Sequence, residues 1–102
     1  MGREKNWRVE KYLVEVEYNE QGVPYIEGFP DASIYAEKNG NVYTIKGNSD
    51  GLLFLAHCLV ALAKASPVVK EQGYHIHLDS LYNINESDVE ILLAVVEDQD
   101  VV

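Results

Sequence analysis

The chain has 102 residues, 8 Lys and Arg against 17 Asp and Glu, a formal charge of −9 and one cysteine. Cys58 has no partner within the chain, which excludes a disulfide scaffold. The acidic balance argues against nonspecific nucleic-acid binding, which needs cations facing phosphates. With 47% hydrophobic residues the chain can build a core and is expected to form one domain over residues 1–102. No apolar run reaches the roughly 18 residues of a membrane span. The charged N-terminus has no apolar stretch behind it, so neither a signal peptide nor a membrane contact is expected, and the expected location is cytoplasmic.

In chain order, the first predicted strand covers about Val9 to Tyr18. Tyr12, Val14, Val16 and Tyr18 share one face, and Glu15 and Glu17 the other, the period of two of a half-buried strand. Asn19 to Pro30 carries two glycines and two prolines and reads as a loop, with a short extended piece at Pro24–Glu27. Strands follow at Ala32–Lys38 and Asn41–Lys46. Asn39-Gly40 between them tolerates the positive φ of a tight hairpin turn. Asn48 or Ser49 then caps a helix over about Asp50 to Ala65, and Asp50 suits the positive end of its dipole. Leu52, Leu55, Ala56, Leu59, Leu62 and Ala63 are predicted to be its core stripe. The other side of the helix, with Leu53, Phe54, Cys58, Val60 and Ala61, is also apolar. A homodimer through that face of helix 50–65 is therefore expected. A connector at Ser66–Gly73 leads to a strand at Tyr74–Leu78 and a polar turn at Asp79–Ser87. The last strand covers Val89–Val96, apolar enough to predict burial on both faces. The fold class is α+β: one two-layer domain, an antiparallel-rich sheet of four or five strands in the order β-β-β-α-β-β, with one main helix on one face.

Charge is unevenly placed. Residues 1–11 hold four cations against two acids, whereas Glu71 to Val102 holds eight acids and no Lys or Arg. Such a surface either keeps a protein soluble or attracts a basic partner.

One constellation could carry chemistry. On a strand, His75, His77 and Asp79 project from one face and Tyr74, Ile76 and Leu78 from the other. Two imidazoles and a carboxylate could hold zinc or iron, and a small metal-dependent enzyme is the alternative this raises. The segment resembles the His-x-His-x-Asp start of metallo-β-lactamase-type sites but departs from it, since Ser80 stands where those sites continue with His. Side chains at i and i+2 on a strand also splay about 6–7 Å apart. The spacing favours an outer sheet face, suited to a protein partner, and no metal or cofactor is expected. Gly47-Asn48-Ser49-Asp50-Gly51 lacks the lysine and spacing of a P-loop and reads as a helix cap. Cys58 reads as packing, because neighbouring His57 points about 100° away on a helix and cannot serve as its base. Tyr25, Phe29, Tyr35 and Tyr82 are candidate contact residues.

Gly47-Asn48-Ser49-Asp50-Gly51-Leu52-Leu53 leads into a Leu/Ala helix. Gly73-Tyr74-His75-Ile76-His77-Leu78-Asp79 and a closing apolar strand follow. Over Gly47 to Val96 this resembles the immunity protein 32 family of bacterial polymorphic toxin systems. The resemblance implies a protein that occludes a cognate toxin, often a nuclease, without catalysis of its own. An acidic inhibitor can be steered onto a basic toxin cleft. His75, His77, Asp79, Glu86, Asp88 and Glu90 are the partner-binding residues expected on this reading. A homo-oligomeric structural or regulatory domain is a further alternative.

Overall fold

The computed structural model describes residues 6–27, 29–78 and 91–96. In chain order these form β1 (Glu17–Tyr18), β2 (Pro24–Tyr25), β3 (Ile34–Asn39), β4 (Val42–Gly47), α1 (Ser49–Ala63), α2 (Pro67–Glu71), β5 (His75–Leu78) and β6 (Ile91–Ala94). The class is α+β, with one main helix and antiparallel strands. Among the described residues the strands form three two-stranded sheets, β1–β2, β3–β4 and β5–β6. The expected single sheet of four or five strands is thereby corrected. It depended on a long first strand, and only Glu17–Tyr18 of that stretch enters a ladder. Side-chain packing on α1 brings the β3–β4 and β5–β6 pairs together. Ala36 of β3, Phe54, Cys58 and Leu62 of α1, Ile76 and Leu78 of β5 and Ile91 of β6 share one core.

The β3–β4 turn falls at Gly40-Asn41, one residue later than expected. Asn39 is the last rung, opposite Val42, and Gly40, at φ 62°, takes the position that needs positive φ. Ser66 caps α2 and Pro67 occupies its first turn, the usual Ser-Pro start of a helix. The sequence reading passed over this short helix, whose Val69 is buried. β6 is a strand, as expected, but it is not buried on both faces. Ile91 is buried whereas Leu92 and Ala94 are exposed, so one face of the β5–β6 pair packs and the other is open.

The largest correction concerns α1. Its buried residues are Gly51, Phe54, Cys58, Ala61 and Leu62. Leu62 is buried as expected, but positions 54 and 58 lie one residue before the expected 55 and 59, and Ala61 joins them inside. The helix is thus turned by about 100° from the predicted orientation. Phe54, Cys58 and Ala61, expected on the open side, are inside, and Leu52, Leu53 and Leu59 are outside.

The cap explains the rotation. The Asn48 side-chain carbonyl accepts from Gly51 N (2.7 Å) and Ser33 N (3.1 Å). Its amide donates to the Asp31 carbonyl (2.8 Å), and Asn48 N donates to the Ser33 carbonyl (3.1 Å). These bonds press the first turn of α1 against the chain entering β3. A Cβ on residue 51 facing that chain would run into the Ser33 carbonyl. Only glycine fits there, so residue 51 and those one to three turns along its face point inward.

Candidate functional site

Four pieces of chain form an acidic cleft of about 420 Å³, lined by Glu15, Glu17, Tyr25, Glu27, Phe29, Pro30, Asp31, Asp50 and His57. β1 and β2 pair Glu17 with Tyr25. The period of two therefore carries Glu15, Glu17, Tyr25 and Glu27 to one face. The turn between these strands is closed by Asn19, whose side-chain oxygen accepts from Gln21 N (2.9 Å) and Val23 N (3.0 Å). Tyr18 projects the other way and donates its hydroxyl to the Ala61 carbonyl (3.0 Å), one of the carbonyls a helix end leaves without an intrahelical partner. That bond ties the acidic strand pair to α1.

Asp50 and His57 come from α1, seven residues apart and so on one side of the helix. Phe29 links wall to core, its ring centroid 5.6 Å from that of Phe54 and 6.2 Å from that of His57.

Five carboxylates thus surround a cleft with aromatic walls. Among the described residues the ion pairs are Arg8–Glu10 (2.6 Å) and Lys46–Glu37 (2.9 Å), neither involving a cleft residue. Like charges held together in a concave surface create a negative potential that draws cations. Tyr25 and Phe29 offer ring faces on which a guanidinium or ammonium can rest. The arrangement is equipped to receive a basic side chain.

The sequence-predicted site lies elsewhere. His75 and His77 are exposed on the outer face of β5, and Ile76 and Leu78 are buried, the facing expected from the alternation. Their rings meet edge to face at 4.9 Å. His75 Nδ1 lies 3.0 Å from the Gly73 carbonyl. A carbonyl only accepts, so this nitrogen carries the proton. Across the ladder stand Ala94 and Leu92. Asp79, Glu86, Asp88, Glu90 and Tyr82 lie outside the described residues. Among the described residues no group of three or more His, Cys, Asp or Glu is placed to hold a metal ion. Cys58 is fully buried, and burial pushes its thiol up to about 11. It is a packing residue, since a thiol that stays protonated is a poor nucleophile.

Sequence reasoning missed Glu15, Glu17, Glu27, Asp31 and Asp50 as a group. A signal was present: from Tyr12 to Ala36 the chain has five acids and no Lys or Arg. The acidic run after residue 71 is denser, and the breakers of the 19–30 loop give no sign that its two ends meet. No described helix is long and apolar enough to cross a membrane. No family model matches this chain, and no curated protein or solved structure matches it either.

Proposed function

We propose that this protein is a binding inhibitor that occludes a basic partner, in the manner of an immunity protein neutralising a cognate nuclease-like toxin, without a catalytic step of its own. The observation that carries this reading is the acidic cleft. Its five carboxylates make no ion pair among the described residues and stand beside the aromatic rings of Tyr25 and Phe29. A toxin that grips nucleic acid presents Lys and Arg at its active surface, and a cleft of this kind receives such side chains while the formal charge of −9 steers the encounter. The segment Gly47–Asp79, with its resemblance to the immunity protein 32 family, supports the same reading. The outer β5 face bearing His75 and His77, together with Asp79, Glu86, Asp88 and Glu90, is the second part of the proposed surface.

Co-expression with the toxin domain encoded beside the gene tests the proposal. The wild-type chain should restore growth. The combined reversal Glu17→Lys, Glu27→Lys and Asp31→Lys should abolish rescue while leaving the circular dichroism spectrum and the melting temperature close to wild type. Association measured against the purified domain should slow as salt rises, since exposed charges are screened beyond roughly 8–10 Å at physiological ionic strength. Failure of the wild-type chain to rescue growth or to bind would remove the inhibitor reading. Rescue that survives reversal of both acidic groups would remove these surfaces from it.

A further inference from the structure

We infer that residues 7–14 are an exchanged strand, which adds to the free edge of β4 in a second copy of the chain while that copy returns its own, giving a twofold dimer. This does not depend on the inhibitor reading.

The first observation is a half-covered hairpin. Asn39 and Val42 flank the two-residue turn as a hydrogen-bonded pair. The antiparallel alternation then aims the backbone N–H and C=O of Tyr43 and Ile45 away from β3. The register puts the side chains of these residues on the same face as Ile34 and Ala36. On β3 that face is covered, with Ile34 0% and Ala36 4% exposed. On β4 the cover stops, with Ile45 47% and Tyr43 65% exposed. Among the described residues, β4 pairs only with β3. Among the described residues β4 thus has both an unpaired outer edge and apolar side chains left exposed on this face, whereas the same face of β3 is covered. An open edge with apolar side chains is a template for an added strand.

The second observation is a strand without a sheet. Residues 6–16 are neither helix nor strand, although the run Trp7, Val9, Tyr12, Leu13, Val14 is rich in strand-forming side chains. Trp7 and Leu13 are 83% and 85% exposed. The polar contacts of this arm are internal, Arg8 with Glu10 and the Tyr12 hydroxyl with Glu10. Its far end is anchored by β1 and by the bond from Tyr18 to α1, and it enters no ladder with its own hairpin.

Area favours a second copy as the occupant, since every copy carries both the exposed arm and the open β4 edge. Trp7, Tyr12 and Tyr43 are mostly exposed, and aromatic side chains bury about 150–250 Å² each, so covering them removes on the order of 400 Å² per copy. Reciprocal exchange doubles that, and Val9, Leu13 and Ile45 carry it past the roughly 1,000 Å² of a specific interface.

The test uses the full chain and its single tryptophan, Trp7. Sedimentation at micromolar concentration should show a dimer. Trp7 emission should move to shorter wavelength as concentration rises through the association range. Hydrogen exchange should show the amides of Tyr43 and Ile45 protected only in the dimer. Tyr12→Pro, which breaks a ladder in the arm but costs nothing in an exposed unpaired segment, and Tyr43→Lys on the edge should each weaken association by about tenfold or more. Tyr12→Pro should not shift the melting temperature measured below the association range, and Tyr43→Lys should lower it slightly, because it removes the ring beside Lys38 and sets a like charge across the ladder. A monomer at all concentrations would overturn the inference, and so would protection of Tyr43 and Ile45 in the monomer. A dimer that withstands both substitutions and dissociates with Leu59→Glu would assign the interface to α1 and overturn it as well.

Discussion

The two sides of α1 are almost equally hydrophobic, yet one forms the centre of the core and the other faces outward. Phe54, Cys58, Ala61 and Leu62 are buried, and Leu52, Leu53 and Leu59 are about half exposed. Apolar content does not decide between them. The inward side starts at Gly51, where the helix meets the Ser33 carbonyl, and it carries Phe54, which meets the Phe29 ring and belongs to the core shared with the strands. A steric contact at the first turn selected which of two adequate stripes was buried, and the hydrophobic effect then stabilised the choice.

This comparison can be broken most forcefully at Phe54. Phe54→Ala should cost about 3–5 kcal/mol, the price of a large cavity in a fully buried site, read as a fall in the urea midpoint at unchanged slope. If Leu55→Ala proves the costlier of the two, the helix sits in the sequence-predicted orientation. Gly51→Ala tests the steric contact itself. Alanine favours helix over glycine by about 1 kcal/mol, but the opposing atom is a backbone carbonyl held by the Asn48 bonds and cannot swing aside. The substitution should therefore destabilise by about 1–3 kcal/mol. A gain in melting temperature would show that the close approach does not set the rotation.

Cys58 sharpens the comparison through pH. Its folded-state thiol is raised to about 11 from an ordinary value of 9.0, so above pH 9 the unfolded chain loses this proton before the folded one. The contribution is fully present below pH 9 and declines as pH rises from there toward about 11. Cys58→Ala should flatten that part of the stability profile, and native Cys58 should resist alkylation until the protein unfolds. The smallest effect is expected on the open side. Leu59→Gln should change stability by no more than about 0.5 kcal/mol, as for surface positions away from caps and networks.

The same contrast shows what was legible. The hairpin, the main helix and β5 were, because they rest on local chemistry: the Asn48 cap, the Gly40 turn, the period of two at His75–Leu78; α2 and the irregular course of residues 9–16 were not. The facing of β5 was legible for the same reason, since Ile76 and Leu78 alternate with His75 and His77 and only one assignment buries the apolar pair. The acidic cleft was legible only as separate acids. Glu15 and Glu27 are twelve residues apart, and they share a face only through the Glu17–Tyr25 register.

By itself, then, the sequence determined the α+β class, the helix and its cap, the hairpin, and an acidic charge balance. Each follows from interactions within a few residues or from composition alone. Tertiary structure decided the rotation of α1, the division of the described strands into three pairs and the gathering of five carboxylates in one cleft with Phe29. These depend on contacts between segments distant in sequence, where a Leu/Ala-rich pattern offers several hydrophobic solutions of similar energy and a single backbone approach, Gly51 against Ser33, selects one.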